Sequence, residues 1–476
     1  MASSTEERFF ISKELTQLIS AEQAFFYRIV PKQMSNNILT LWTDAPQLEN
    51  LLSELKIVMD FTLELEWVPT EKLQDFLTAN YRQTQLHQNQ SLEFHYTPDF
   101  LEKIIFNAKA IGSSDIHFEP YETKCRIRFR LDGKLVEQFT IPIEEYPAII
   151  NKIKIRAGLD IAEKRLPQDG RITLKTGANN EFDIRVSTLP TLFGEKIVLR
   201  ILNKDTKSIT LEDLGFNKDE LERYKEGVKN PNGIILISGP TGSGKTTTLY
   251  ATLKLLNDSK TNILTIEDPI EYTLEGVNQV QLKESIGLDF SSALRTFLRQ
   301  DPDIIMVGEI RDVKTANMAI RAALTGHLVL STIHTNSAWA TISRLIDMGI
   351  PPFLIASTLN ISVAQRLVRK LCNTCKRKEE VTPALFPKNF MPPKSMGFHH
   401  VPIGCQECHH TGYNGRKAIY EIIPISKSLV PHIKNNSLDV DDFLKENHIK
   451  TLSHNALILV EEGITSIEEI YPLLTN

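Results

Sequence analysis

Gly233-Ile-Ile-Leu-Ile-Ser-Gly239-Pro240-Thr241-Gly242-Ser243-Gly244-Lys245-Thr246-Thr247-Thr-Leu-Tyr250 decides the fold. The leading apolar run predicts a buried strand, and the residues from Lys245 onward a helix. Between them, Gly239, Pro240, Thr241, Gly242, Ser243, Gly244, Lys245 and Thr246 fit the spacing G-x-x-x-x-G-K-[ST]. Glycines let successive backbone N–H groups close around phosphate oxygens, because no Cβ stands in the way. A helix starting at Lys245 and Thr246 aims its free N–H groups and the positive end of its dipole at the same anion. Lys245 is placed to reach the β- and γ-phosphates. The Thr246 hydroxyl, with Thr247 beside it on the first turn, is placed to bind Mg2+. The stretch therefore predicts a nucleoside triphosphate site.

Outward from this loop, short apolar strands alternate with helices from about residue 210 to 370, which implies a parallel sheet covered on both faces. Ile263-Leu-Thr-Ile-Glu267-Asp268 and Asp303-Ile-Ile-Met-Val-Gly-Glu309-Ile-Arg311-Asp312 are apolar strands that end in carboxylates. Beside a phosphate loop this is the Walker B pattern, which sets an acid near Mg2+. The usual aspartate slot before Glu309 is Gly308, so one metal contact runs through water or comes from elsewhere. Attack by water needs a general base, and Glu267 and Glu309 are the candidates. Thr325-Gly-His327-Leu-Val-Leu-Ser-Thr-Ile-His334-Thr335 is a third strand with a histidine at each end. Ligands bind at the carboxyl ends of such strands, which makes His334 a candidate γ-phosphate sensor. His327 is also read as functional. Ser291 caps an expected helix on which Arg295 and Arg299 share a face.

Cys372-Asn-Thr-Cys375 is followed, after 29 intervening residues, by Cys405-Gln-Glu-Cys408. Two C-x-x-C pairs in a reducing compartment fit tetrahedral Zn2+ held for structure, with no open coordination position. Arg366, Arg369, Lys370, Lys376, Arg377 and Lys378 form a basic run beside this knuckle and read as a solvated face, the alternative being a face toward a partner or acidic lipid headgroups.

The length of 476 residues suggests roughly three domains. Residues 1–82 read as a small α/β docking module, with a strand at Ile38-Leu-Thr-Leu-Trp42 and helical spacing in Leu48, Leu51, Leu52, Leu55 and Val58. A half-buried strand follows, in which Phe61, Leu63, Leu65 and Trp67 alternate with polar residues. A Gln-rich linker at 83–95 leads to a mixed α+β domain at 96–203. There an Asp132-Gly133 turn joins two strands of a hairpin, with Arg126, Arg128 and Arg130 on one face and Ile127, Phe129 and Leu131 on the other. A charged linker at 204–212 precedes the nucleotide domain at 213–476, whose first helix is expected at the Thr210-Leu-Glu-Asp213 capping box. That domain includes a zinc insertion at 371–415 and a C-terminal helical region at 420–476.

The net charge of −5 argues against general attraction to nucleic acid. No apolar run approaches the ~20 residues of a membrane span. Met1-Ala-Ser-Ser-Thr-Glu-Glu-Arg lacks the basic-then-apolar pattern of a signal peptide, so a cytoplasmic location is expected.

These motifs together closely resemble the type II secretion / type IV pilus assembly ATPases. The resemblance rests on the phosphate loop, Thr265-Ile-Glu-Asp-Pro-Ile-Glu-Tyr, the run from Leu298 through Gly308-Glu-Ile-Arg-Asp312, the two-histidine strand and the four cysteines. Ser114-Asp-Ile-His-Phe-Glu-Pro, Leu166-Pro-Gln-Asp-Gly-Arg171 and Asp183-Ile-Arg-Val-Ser extend it upstream. It implies a RecA-like ATPase domain behind a PAS-like α+β domain, and a homohexamer that binds ATP between the two. It further implies Glu267 as base for water, Glu309 as the Mg2+-side acid, and nucleotide-facing arginines at Arg185, Arg200, Arg295, Arg299, Arg311 and Arg416. The implied work is pseudopilus assembly for type II secretion, with type IV pilus extension as the alternative. The implied partners are inner-membrane platform proteins, with peripheral association through them. A DNA-translocating motor shares the core, but the charge balance and the lack of an aromatic and basic stacking stripe count against it. Intact Lys245, Glu267 and Glu309 count against a non-catalytic nucleotide-binding scaffold.

Overall fold

The computed structural model describes residues 97, 99–176, 180–202, 209–388, 390, 396–437 and 440–475, with residues 92 and 93 and parts of 11–81 before them. The expected linker at 83–95 lies outside the described residues except at 92 and 93, and most of the 204–212 linker lies outside them too. Contacts divide the chain into two compact units, residues 1–95 with 137–142, and residues 96–136 with 143–476.

The first unit holds three paired strands, β1 (Ile29–Ser35), β2 (Ile38–Thr43) and β3 (Thr62–Trp67), in that order. β1 and β2 are antiparallel, β2 and β3 parallel. Leu73, Phe76 and Leu77 of the helix Thr70–Asn80 cover Ile29, Val30, Leu39 and Leu41. The alternation expected in β3 fades along it: Leu63 is buried, Leu65 half-buried, and Trp67 is 58% exposed. Phe61 and Val58 lie outside the described residues. A short strand, β4 (Leu92–Glu93), pairs with Phe139 and Thr140.

The second unit begins with the helix Phe100–Ala110 and β5 (Asp115–Pro120). β6 (Lys124–Leu131) then turns, through Asp132 and Gly133 at positive φ (46° and 87°), into β7 (Lys134–Pro142), whose residues from 137 onward are counted with the first unit. Two positive-φ residues make the tight turn whose twist matches antiparallel strands, and Asp-Gly supplies them cheaply. After the helix Tyr146–Ala157 come β8 (Gln168–Thr176), β9 (Asn180–Thr191) and β10 (Gly194–Leu202). The order β6-β5-β10-β9-β8 is antiparallel throughout. Ile127 and Phe129 are buried, whereas Arg126, Arg128 and Arg130 stay on the opposite, half-exposed face.

The larger sheet is built from β11 (Gly233–Ser238), β12 (Ile263–Glu267), β13 (Asn278–Gln281), β14 (Ile304–Val307), β15 (Leu328–Ile333) and β16 (Leu359–Leu371). All of these pair in parallel, in the order β13-β12-β14-β15-β11-β16. Successive residues of β11 enter separate cores: Ile234 and Leu236 pack with Ile305 and Val329, while Ile235 and Ile237 pack with Met306 and Leu330. Burial on both faces explains why these strands read as continuous apolar runs.

Past β16, β17 (Arg377–Glu380) and β18 (Phe398–Val401) form a small hairpin. β19 (Tyr413–Pro424) then returns antiparallel to β16 as the edge of the large sheet. Residues 420–424 are therefore strand, and the helical region expected from 420 starts at Val430–Lys434. Two helix starts also differ from expectation. Thr210 bonds Asp213 only in a short turn ended by Gly215 at φ 88°, and the capping box belongs to Asn217 and Glu220 of the helix Lys218–Val228. The helix Phe290–Phe297 is capped by Asp289, paired with Ser292, rather than by Ser291.

Candidate nucleotide-binding site and metal centre

β11 ends at Ser238, and the helix Lys245–Leu256 starts six residues after Gly239, with Gly244 at φ 86° as its N-cap. The glycines are required by space as well as by φ. A Cβ on Gly239 would stand 2.5 Å from Gln365 O, and one on Gly244 2.9 Å from Gln365 Nε2. The loop is thus pressed against the end of β16. Lys245 is buried and donates from Nζ to Gly239 O (2.8 Å) and Pro240 O (3.0 Å). Burial pushes its ammonium pKa down, while the nearby Glu309 carboxylate pulls it up. Ser243 Oγ is buried with no hydrogen-bond partner. A glycine-lined cradle, an orphan hydroxyl inside it and a helix N-terminus behind it together fit a phosphate chain.

Glu309 follows β14. Its carboxylate accepts from Arg311 and stands 3.5 Å from His334 Nε2. Arg311 also reaches toward Asp268 (3.9 Å). Lys245, Glu309, His334 and Arg311 thus gather at the carboxyl ends of β11, β14 and β15. Glu267, the last residue of β12, is only 3% exposed. Its Oε1 accepts from Thr265 Oγ1 (2.6 Å) and Gln279 Nε2 (3.1 Å), and its Oε2 accepts from the Tyr250 hydroxyl. A carboxylate oxygen can accept two such bonds. Oε1 is therefore filled, and Oε2 keeps one position.

His327 does not join this group. It precedes β15, at the opposite end of the strand, and its Nδ1 lies 2.9 Å from Ala322 O and 3.1 Å from Thr325 Oγ1. Five strand steps put it ~17 Å from the loop within its own chain. The two-histidine motif brackets a strand, and a strand holds its ends apart.

The six arginines divide. Arg185 of β9 crosses to the nucleotide domain, donating to Ile270 O (3.0 Å) and standing 3.6 Å from Glu271. Arg311 holds Glu309. Arg200 is 60% exposed and binds Asp115 (2.9 Å). Arg416 faces Asp132 (3.5 Å), whose other oxygen accepts from Gly415 N–H (2.8 Å). Arg295 and Arg299 are exposed, and Arg299 donates to Arg295 O (3.0 Å).

The reading of the basic run missed two residues. Gln365 is buried and accepts from Thr248 Oγ1 (2.9 Å), and Arg366 is half-buried against the loop. The signal available was their place: polar residues at the end of an apolar parallel strand belong to the ligand edge of the sheet.

Cys372, Cys375, Cys405 and Cys408 place their sulfurs within 4.8 Å of one another, with Cys372–Cys405 at 3.9 Å, Cys375–Cys408 at 3.8 Å and Cys405–Cys408 at 3.7 Å. A tetrahedron with ~2.3 Å Zn–S bonds has edges of about 3.8 Å. Backbone N–H groups of Gly404 and Gly412 donate to Cys375 and Cys408 at 3.3 Å each, as they would to thiolates. This is the one His/Cys/Asp/Glu cluster with metal-ligand spacing among the described residues.

A family profile described as "Type II/IV secretion system protein" matches residues 90–472. The chain belongs to the type II/IV secretion system protein family. Among relatives of the family, the type IV pilus assembly ATPase PilB of Myxococcus xanthus is 48% identical over 374 residues, 77% of this chain and 66% of that protein. The chain thus spans about two thirds of that relative's length. Type II secretion system protein E of Pseudomonas aeruginosa is 46% identical over 377 residues, 78% of this chain and 74% of that one. The type IV pilus assembly ATPase TfpB of Acinetobacter baylyi is 38% identical over 490 residues, 96% of this chain and 83% of that protein. No helix among the described residues is long and apolar enough to cross a membrane.

Proposed function

We propose that the protein is an ATPase that works as a homohexamer to drive assembly of a pilus or pseudopilus. The observation that carries this reading is the gathering of Lys245, Glu309, His334 and Arg311 beside the Gly239 cradle. Water attacks the γ-phosphorus, the bond to the bridging oxygen of ADP breaks, and the proton leaves to a carboxylate. Glu267 takes that proton: three donors fix its orientation, and Oε2 retains one acceptor position. Lys245 and Arg311 neutralise charge on the transferred group, with His334 reporting on the γ-phosphate. Mg2+ held by Thr246 and Glu309 would neutralise the β- and γ-oxygens. Arg185 carries the state of the preceding domain, which we read as PAS-like, to the loop after Glu267. Arg200, Arg416, Arg299 and His327 are engaged with Asp115, Asp132, Arg295 O and Ala322 O rather than with the cradle, and Arg295 is exposed. We therefore read their part in nucleotide binding as coming from a neighbouring subunit. The four cysteines hold Zn2+ and staple the insertion.

The partners are platform proteins at the inner membrane, and nucleic acid has no part. Pilus extension and type II secretion both fit the family. The match to TfpB, a pilus assembly ATPase, takes in 96% of the chain and so reaches well into the N-terminal unit, which favours the pilus reading. Purified full-length protein should hydrolyse ATP with Mg2+, and Lys245→Ala should lose at least ~10³-fold in turnover, the scale of a lost electrostatic clamp. Wild-type rates in that variant would sink the site assignment.

A further inference from the structure

Arg366 has no task in the hydrolysis proposed above. Pairing of β16 with β11 ends at Ala364 opposite Ser238, so Arg366 lies just beyond it, beside the phosphate loop. A Cβ on Gly239 would stand 3.0 Å from its Nη1. Nη1 donates to Gln365 O (3.0 Å). Nη2 donates to Asn336 O at 2.9 Å and reaches Thr335 O at 3.5 Å. These last two carbonyls belong to the segment that directly follows His334. The same segment is held from the other side by Glu421, which is 4% exposed and accepts from Ala338 N–H at 2.7 Å. Arg366 and Glu421 therefore grip one short segment from two sides, the guanidinium on its carbonyls and the carboxyl on its N–H.

We propose that Arg366 is a positioning residue for His334. Its fork fixes residues 335 and 336 against the phosphate loop, and so sets the distance from the imidazole to Glu309 and the γ-phosphate. The proposal rests on the reading of this site as an ATP-hydrolysing centre. A lysine cannot replace the fork, because one ammonium cannot span carbonyls on two segments in a fixed plane.

The test measures ATP turnover and, separately, the dissociation constant of a fluorescent ATP analogue in full-length wild type, Arg366→Gln, Arg366→Lys, His334→Ala and the double variant Arg366→Gln/His334→Ala. Arg366→Gln should lose about 10- to 100-fold in kcat with nucleotide affinity held within about threefold, since misplacement of a reacting group costs rate rather than binding. Arg366→Lys should recover only part of the rate. The double variant should be no slower than His334→Ala, because residues that act as a unit are not additive. Multiplying losses in the double variant, or Arg366→Gln at the wild-type rate, overturns the proposal. If Arg366→Gln fails to fold, Arg366→Lys carries the same comparison with His334→Ala. A wild type without turnover overturns the functional reading and the proposal with it; a wild type that turns over beside an unimpaired Arg366→Gln overturns the proposal alone.

Discussion

The four central strands of the larger sheet and the antiparallel sheet handle charge in opposite ways. β11, β14 and β15 carry no charged residue, and β12 carries Glu267 only as its last. The antiparallel sheet sets Asp115 and Glu119 along β5 and matches them with Arg130 and with Arg126 and Arg128 along β6. The cause is coverage. The four central strands, packed on both faces, leave a charge few partners along their length, and an unpaired buried charge is very costly. Their chemistry is pushed to strand ends. Only β16 and β19, at one side of the sheet, carry charges along the strand, and Arg366, Arg369 and Glu421 there are each hydrogen-bonded. The antiparallel sheet has one half-open face, so charge can run along the strand if each carboxylate is paired. Glu119 is burdened by burial, yet Arg128 (2.8 Å) and Lys196 (3.0 Å) hold its pKa down to about 2.

Three results would break or sharpen this contrast. The largest effect is expected at Glu267, the charge at a covered strand's end. Glu267→Gln keeps the shape and removes the proposed base, and should cut kcat by about 10²–10⁴-fold with ATP affinity retained. Glu309→Gln should instead raise the Mg2+ concentration needed for half-maximal rate. A Glu267→Gln rate near that of the wild type would make the carboxylate a core strut and leave strand ends without special chemistry. Next is the knuckle, where four cysteine sulfurs lie within 4.8 Å of one another. Metal analysis should find one zinc per chain, and chelation should expose the 371–415 insertion to protease. No metal, with four free thiols titrating in the native protein, would refute the site.

The smallest effect concerns Glu119. Its folded pKa lies below its unfolded value, so its contribution is present above about pH 4.3 and fades as pH falls toward 2. Wild type should melt above Glu119→Gln at pH 7, and the gap should close on acidification. A gap that widens below pH 4 would mean the carboxylate is not held ionised by its cations.

Local patterns made the phosphate loop, the acid-ended strands, the Asp132-Gly133 hairpin and the cysteine pairs legible, because each is a short signal with one geometric reading. Asn217 displaced Thr210 as the cap of the first helix because Gly215 ends the earlier turn. Arg366 and Glu421 were hidden for a different reason. Their partners lie far along the chain, and only the pairing of β16 between β11 and β19 brings them to the site. Within a basic run, nothing local separates the arginine that meets the loop from those that do not. His327 shows the converse, since a shared motif gives no account of which strand end faces the ligand.

β16 has one further consequence. It passes the phosphate loop at Gln365 and enters the zinc knuckle at Cys372, paired to β19 on the way with one irregularity between Arg369 and Leu371. Seven strand steps are about 23 Å. Leu371 N–H is held by Ile464 O (2.7 Å), and Arg369 by Glu469 (2.6 Å), so the far end is fastened to the last helices. One paired strand thus ties the phosphate loop to the cysteine knuckle and, through Leu371 and Arg369, to the C-terminal helices.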